Sequence, residues 1–221
     1  MPYETIDSIL RELLERHRRE KDQPTAFKEK MLAMGSEGGR FVTSIVRAFK
    51  PKRGLEIGTS SGFSALCAFK GALEASGSTS DIAFHLTTVD YDPAKAEWAL
   101  KNFKQAGIEH HVTIIIDDAQ KACNLIEGEF DYLLLDAEKS TTLGIFKVLY
   151  PKLAPGAVIL TDNMQTHADE LSAFSQYVRS HPGLASAMFP IGNGVEFTLK
   201  LSERLTDNII PGDDLRLVSK G

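Results

Sequence analysis

Two carboxylates, an amide and a lysine in this 221-residue chain are of the types that can form a catalytic centre. Asp136 and Lys139 follow one run of apolar residues, and Asp162 and Asn163 follow another. If both runs are parallel strands, the side chains meet at one edge of a sheet. Asp and Asn oxygens suit a hard divalent cation such as Mg²⁺, which keeps coordination positions for a substrate. We therefore predict a metal site at Asp136, Asp162 and Asn163, with Lys139 as a base.

Each of these residues also has an ordinary structural explanation. Asp136 could cap the following helix, and Asp162 with Asn163 could shape a turn. Lys139 could be a surface charge. Taken singly, these explanations are preferred, but the set as a whole favours a metal site.

A glycine-rich turn earlier in the chain predicts a nucleotide-like ligand. The apolar run 54–57 leads into Gly58 and Gly62 and then into a helix, as in doubly wound nucleotide-binding domains. The spacing G-x-x-x-G does not match the dinucleotide fingerprint. Glu56 would repel a pyrophosphate but suits the cationic amino group and sulfonium of S-adenosylmethionine. The segment is equally compatible with a second interpretation, in which the glycines only form a tight turn and Glu56 pairs with another residue.

Acidic residues also end the next two predicted strands. Asp90 is placed to accept hydrogen bonds from the ribose of an adenosyl group, and Tyr91 to lie against the adenine. Asp118 and Ala119 are placed near the adenine edge, although Asp118 could equally cap the next helix. Acids at several strand ends along one edge favour a shared ligand.

Alternating strands and helices must position these residues. Continuous apolar runs indicate parallel strands that are buried on both faces. The predicted parallel strands are 54–57, 82–89, 112–116, 132–135 and 157–160. Runs 184–191 and 195–201, joined by the turn 192–194, predict a hairpin whose last strand is antiparallel.

Helices are predicted in front of the sheet and between its strands. An amphipathic helix ends near Lys21, and its apolar face must pack on the chain's own core or on a partner subunit. A second helix is expected to begin at Pro24 and to close at Gly35. Ser60 or Ser61 is expected to cap the helix after the glycine-rich turn.

Composition predicts a soluble protein with one domain, residues 1–221. It divides into a helical cap at 1–50, an α/β core at 51–201 and a tail at 202–221. A net charge of -5 argues against a nucleic-acid partner. We expect no membrane association, because no apolar run approaches the roughly 20 residues of a spanning helix. The two cysteines have no metal-type neighbours, which fits a cytoplasmic location.

These motifs resemble one family, the metal-dependent class I S-adenosylmethionine O-methyltransferases, which include catechol and caffeoyl-CoA O-methyltransferases. The resemblance extends from about Met34 to Leu201. The segments that carry it are 54–58, 62–64, 89–93, 118–119, 136–139, 162–163 and 192–194. Its most specific part is Asp-x-x-Lys followed by Asp-Asn.

The resemblance implies a Rossmann-like fold, with a mostly parallel sheet of seven strands and an antiparallel last strand. It implies Lys139 as the base, a divalent cation, most simply Mg²⁺, and a small hydroxylated aromatic substrate. The residues expected at the S-adenosylmethionine site are Glu56, Gly58, Ser64, Asp90, Tyr91, Asp118, Ala119 and Asp136. The resemblance and the apolar face of the first helix together suggest a homodimer.

The substrate pocket departs from both well-known branches of the family. Glu138 stands where the animal catechol enzymes carry a tryptophan, and Ala187 where they carry a further acid. The predicted function is O-methyl transfer to a catechol-like molecule. The alternatives are a metal-independent methyltransferase and a non-catalytic protein that binds S-adenosylmethionine. An NAD oxidoreductase is the least favoured, because the dinucleotide fingerprint is missing.

Overall fold

The computed structural model describes residues 2–22, 33–78 and 81–202. The strands are β1 Arg53–Ile57, β2 His85–Asp90, β3 Val112–Ile116, β4 Phe130–Leu135, β5 Leu153–Thr161, β6 Leu184–Phe189 and β7 Val195–Lys200. The α-helices are α1 Pro2–Asp22, α2 Gly35–Phe49, α3 Phe63–Ser76, α4 Pro93–Ala106, α5 Ala119–Leu125, α6 Thr142–Leu149 and α7 Ser172–Ser180. The predicted alternation of strands and helices is confirmed.

All seven strands form one sheet in the order β3-β2-β1-β4-β5-β7-β6. The pairs from β3 to β5 are parallel, whereas β7 lies antiparallel between β5 and β6. The predicted sheet with an antiparallel last strand is therefore confirmed. The chain moves outward from β1 to β3 and then crosses to β4 on the other side of β1. In such sheets a crevice forms at the carboxyl ends of the strands where the order reverses.

The central strands are mostly apolar because both faces of the sheet are covered, and Glu56 in β1 and Thr88 in β2 are buried polar exceptions. Along β4, Tyr132 and Leu134 belong to the core layer that includes α1 to α4. Leu133 and Leu135 belong to the opposite layer, with α5 to α7. Successive side chains of a strand point to opposite faces, so a strand between two helical layers needs apolar residues at every position.

The apolar face of α1 packs on the chain's own core. Ile6, Ile9, Leu10 and Leu13 are all buried in the same layer as α3 and α4. The sequence left open whether this face packs on the chain's own core or on a partner subunit, and the structure shows the former. This face therefore no longer supports the homodimer, which stays a prediction.

Two predicted helix ends are wrong, and one helix falls outside the described residues. Most of the helix expected from Pro24 lies in 23–32, and Gly35 begins α2 rather than closing a helix. No serine caps α3: its N-cap is Gly62, in a left-handed conformation with φ 78°. The loop turns sharply at Gly62 and lies directly against α4 there. A Cβ at this position would collide with Phe103 of α4, so only glycine fits.

The expectations drawn from composition are tested only in part. Cys67 and Cys123 are free and buried, and burial raises the pKa of the Cys67 thiol to about 12. Both act as small core residues, as expected. Within the described ranges no helix combines the length and the apolar character needed to cross a bilayer. The cytoplasmic location stays a prediction.

Candidate active site

A cavity of about 540 Å³ opens at the carboxyl edge of the sheet, where the loops after β1 to β5 meet. Ten of the eleven residues predicted for the cofactor, the metal and the base line this cavity. They are Gly58, Ser64, Asp90, Tyr91, Asp118, Ala119, Asp136, Lys139, Asp162 and Asn163. Parallel strands thus bring residues from distant parts of the sequence into one cavity. The eleventh residue, Glu56, is not part of its lining.

Glu56 lies behind the cavity wall rather than in it. Its side chain is 1% exposed, and its carboxylate accepts hydrogen bonds from Ser64 Oγ at 2.5 Å and Thr88 Oγ1 at 2.6 Å. Burial raises the pKa of Glu56 to about 7 despite these hydrogen bonds. Ser64, which donates to this carboxylate, lines the cavity. Direct contact between Glu56 and the cofactor stays a prediction.

Gly58 lets the first loop pass directly over the loop that follows β4. Its φ is 106°, and a Cβ at this position would lie 2.2 Å from the backbone oxygen of Asp136. Its N–H donates to Val89 O at 2.9 Å, which ties the loop to β2. Only glycine fits this conformation and this close approach. Gly58 therefore allows the loop after β1 to lie directly against Asp136, one of the predicted metal ligands.

The acids after β2 and β3 have structural partners and also reach the cavity. Asp90 accepts hydrogen bonds from Ser60 N at 2.7 Å and Asp92 N at 3.0 Å, which holds its side chain in place. Asp118 caps α5 by accepting from Lys121 N at 3.1 Å. The structural and the ligand-binding interpretations of Asp118 are therefore compatible. Tyr91 is 71% exposed and lies at the cavity rim.

The predicted metal ligands and base form one hydrogen-bonded group. Lys139 Nζ donates to Asp136 Oδ1 at 2.9 Å. Asn163 Nδ2 donates to the same oxygen at 2.8 Å and to Asp162 Oδ2 at 3.1 Å. A single amide nitrogen thus bridges the two carboxylates. The N-cap position of the short 3-10 helix Lys139–Thr141 is Glu138, whose side chain makes no capping hydrogen bond, so the structural explanation of Asp136 as a cap is wrong.

Of this group, Asp162 has the environment that disfavours a charged carboxylate most clearly. It is 1% exposed, and its Oδ1 has no hydrogen-bond partner of normal geometry among the described residues, although the backbone of Asn163 and the side chain of Asn193 act on the carboxylate and lower its pKa. Burial, and then the charge of Asp136, raise the pKa of Asp162 to about 7. Burial also raises the pKa of Asp136, although Lys139 opposes this. A second cation in the cavity would relieve both carboxylates.

Asn163 adopts a left-handed backbone conformation with φ 69°. Asn tolerates this region better than most residues do, so the interpretation of a turn at this position is correct. Its Oδ1 lies 3.2 Å from Thr166 Oγ1, which donates to it. Exchange of amide oxygen and nitrogen by a half-turn would present Oδ1 to a cation. Shaping the turn and supplying a ligand are therefore compatible roles.

Comparison with known proteins gives one consistent answer. Residues 55–164 match a family model described as a methyltransferase domain. The catechol O-methyltransferase of Mycobacterium tuberculosis (strain ATCC 25618 / H37Rv) is 28% identical over 174 residues, which cover 73% of this chain and 76% of that protein. The flavonoid 3',5'-methyltransferase of Vitis vinifera is 24% identical over 187 residues, which cover 74% of this chain and 76% of that protein.

A solved structure agrees with these relatives. The crystal structure of cofactor-bound Rv0187 from MTB superposes with a TM-score of 0.67 at 26% identity, covering 76% of this chain and 82% of that one. The chain belongs to the class I S-adenosylmethionine-dependent O-methyltransferases. The methyltransferase fold and the resemblance to class I S-adenosylmethionine O-methyltransferases are confirmed, whereas dependence on a metal stays a prediction.

Several residues of the methyltransferase cavity were not predicted. His17 reaches it from α1, Met34 from the start of α2, and Asn193 from the β6–β7 turn. Gln165 N donates to Asn193 O at 2.9 Å, so this turn supports the loop that carries the metal candidates. The paired glycines around Asn193 were a signal for a close approach. Nothing in the sequence distinguished His17 from other polar residues of its helix.

The candidate metal ligands of the methyltransferase fit a hard cation by their chemistry. In the described ranges no three His, Cys, Asp or Glu side chains converge as a metal cluster. The candidate set instead has two carboxylates and one amide, all of which offer oxygen. Such a set suits Mg²⁺ better than a soft metal, because Mg²⁺ keeps several waters and needs few protein ligands. The unpartnered Asp162 Oδ1 is available for this bond.

Proposed function

We propose that the methyltransferase uses a divalent cation to methylate one hydroxyl of a small aromatic molecule with adjacent hydroxyls. The observation that carries this proposal is the buried, unpartnered Oδ1 of Asp162 beside Asp136 in the cavity. Asp162 is buried, Asp136 is 16% exposed, and Lys139 forms its ion pair with Asp136, so the pair of carboxylates favours an additional cation. The relatives named catechol O-methyltransferase and caffeoyl-CoA O-methyltransferase support an aromatic acceptor with hydroxyl groups.

Three residues would hold the cation. Asp136 and Asp162 offer carboxylate oxygens, and Asn163 offers Oδ1 once its amide has turned. The bound cation would favour the ionised form of a chelated acceptor hydroxyl. Binding would also remove the repulsion that raises the pKa of Asp162.

Lys139 is the proposed proton acceptor. Its side chain is 13% exposed, and its Nζ is fixed by the 2.9 Å hydrogen bond to Asp136. In its neutral form it takes the acceptor's hydroxyl proton at Nζ, so Asp136 can then stabilise the ammonium group. The resulting phenolate forms the new O–C bond as the S–C bond of S-adenosylmethionine breaks, and the electron pair leaves with the neutral sulfur. The proton on Nζ passes to solvent.

The rest of the cavity positions the two reactants. Ser64, Asp90 and Asp118 would hold the methyl donor, because each lines the wall near the first three strand ends. The donor and the acceptor would then meet above β1 and β4. Methyl transfer needs the oxygen, the methyl carbon and the sulfur in line, so most of the acceleration is expected to come from this alignment.

The proposal is tested by measuring methyl transfer to catechol from labelled S-adenosylmethionine. We expect EDTA to abolish turnover, Mg²⁺ to restore it, and Asp162→Asn to be inactive while still binding S-adenosylmethionine in calorimetry. Asp117→Asn is the matched control, since it removes a carboxylate from the cavity wall after β3, away from the metal candidates. Full activity in EDTA would favour the metal-independent alternative. Cofactor binding without transfer to any hydroxylated aromatic would favour the non-catalytic one.

A further inference from the structure

A second cavity, of about 310 Å³, lies between α1 and α4. We call it the α1–α4 cleft. Its walls carry three cationic side chains, Arg16, Arg19 and Lys101, and one acidic side chain, Glu12. Glu20, buried next to the cleft, pairs with Arg16 at 2.7 Å, so Arg19 and Lys101 supply the remaining excess of positive charge in a chain whose net charge is -5. We propose that the α1–α4 cleft binds a small phosphate-bearing anion and that its occupation strengthens binding of S-adenosylmethionine in the larger cavity.

The cationic groups suit a phosphate. The guanidinium of Arg16 stacks over the ring of Trp98, 4.1 Å from its centroid, and its Nε donates to Glu20 at 2.7 Å. These two contacts hold the planar group in one orientation. Arg19 follows Arg16 by three positions, so both lie on the same side of α1, and Lys101 faces them from α4. Arginine forks bind phosphate oxygens in pairs, and a lysine adds a point charge.

The floor of the α1–α4 cleft contains a buried amide. Asn102 is 7% exposed, and its Nδ2 donates to Ser61 O at 2.9 Å. A side-chain amide has two N–H donors, so one remains for a ligand in the cleft. The cleft therefore combines exposed cationic side chains with a buried hydrogen-bonding group.

Asn102 also connects the cleft with the larger cavity. Ser61 lies in the turn between Gly58 and Gly62, and this turn lines the larger cavity. The turn rests directly on α4, because a Cβ at Gly62 would lie 2.6 Å from the ring of Phe103. An anion that holds α1 against α4 would therefore limit the movement of the turn between Gly58 and Gly62 and favour the conformation seen here. Two ligands that favour the same form raise each other's affinity.

Trp98 makes the anion site directly measurable. It is the only tryptophan in the chain and lines the cleft, so its fluorescence reports occupation there. We would titrate the metal-free protein at low ionic strength with inorganic phosphate and with glycerol 3-phosphate, using chloride at matched ionic strength as the reference. Both phosphates are expected to give a saturable change if the phosphate group is recognised. A response to glycerol 3-phosphate alone would assign the site to a phosphomonoester.

Charge variants separate the cleft from general surface effects. The double variant Arg19→Gln, Lys101→Gln is expected to weaken the affinity for phosphate by about tenfold or more, since it removes two charge-assisted hydrogen bonds. Lys104→Gln is the matched control, because this exposed lysine lies on α4 outside the cleft lining. An equal response to chloride, or an equal loss in the control, would overturn the anion site.

The coupling is tested separately by calorimetry of S-adenosylmethionine with and without saturating phosphate. We expect affinity to rise about fivefold, the lower end of the usual range for coupled sites, and Asn102→Ala to lose this gain. Unchanged affinity in the intact protein would overturn the coupling. The coupling rests on S-adenosylmethionine occupying the larger cavity, whereas the anion site does not. A protein that binds phosphate but no S-adenosylmethionine would therefore refute the proposed function and leave the anion site standing.

Discussion

Ionisation of the buried Glu56 is expected to lower the free energy of unfolding of the wild-type protein at neutral and alkaline pH. The Glu56→Gln variant should not show this loss. Glu56 is fully buried between Ser64 and Thr88, and burial raises its pKa from 4.5 to about 7. In the unfolded chain the ordinary value returns. Between pH 4.5 and 7 the folded protein therefore binds more protons than the unfolded chain, and stability falls as the pH rises through this window.

The size of this effect follows from the shift. Raising the pKa from 4.5 to about 7 corresponds to a free energy of about 3 kcal/mol, at roughly 1.4 kcal/mol per pH unit. Below pH 4.5 the carboxyl group is protonated in both states, so the cost is absent; above pH 7 it is complete. Glutamine has nearly the same shape and does not ionise. The stability of Glu56→Gln relative to wild type should therefore rise by about 3 kcal/mol across the window.

Urea unfolding of both proteins at several pH values between 4.5 and 8.5 measures this difference. Titrating groups that do not interact with Glu56 contribute equally to the two proteins and cancel, so the remaining difference reports Glu56 and the neighbouring charges of Asp136 and Asp90. Equal m-values would show that both unfold from the same compact state to the same unfolded state. A stability difference that stays constant over this range would refute the reasoning, because it would mean that burial does not dominate the ionisation of Glu56.

Three further outcomes are expected. Lys139→Ala should lower kcat by about 10²- to 10⁴-fold, because it removes the proposed base, while calorimetry should show nearly unchanged affinity for S-adenosylmethionine. Gly58→Ala should cost more than about 2 kcal/mol in thermal unfolding, because its Cβ meets backbone 2.2 Å away, whereas Gly77→Ala, with φ 83° and open space, should cost about 1 kcal/mol. Arg179→Met should cost about 1–3 kcal/mol in urea unfolding, because it leaves Glu196, 0% exposed, without its counter-charge; the cost is below that of a fully buried pair because Arg179 is 46% exposed.

Each of these outcomes has its own control. Lys139→Arg keeps the charge but is a poor proton acceptor, so it should be nearly as slow as the alanine variant. Equal losses in the two glycine variants would contradict the close approach at Gly58. Adding Glu196→Gln to Arg179→Met should recover part of the lost stability, since the uncompensated charge is then gone. No recovery would assign the loss to packing instead.

The sequence determined the fold class because the relevant signals are local. Each buried strand reads as an apolar run, and the caps and glycines that end neighbouring helices lie within a few residues of the turn they shape. Asp92 illustrates this, since it accepts from Ala94 N at 2.9 Å and opens α4 as the Asp-Pro pair indicates. The carboxyl ends of parallel strands lie at one edge. Asp136 and Asp162 could therefore be placed together from the pattern alone.

Tertiary structure decided what depends on the direction of a side chain and on its distant neighbours. Leu55 and Ile57 face the layer of α5 to α7, so Glu56 must point to the opposite layer. There its strand partner Thr88 and the first turn of α3 surround it, and it never reaches the cavity. Packing likewise decided that α1 lies on the core of its own chain. It also inserted β7 between β5 and β6, since each outcome depends on which buried surfaces fit together.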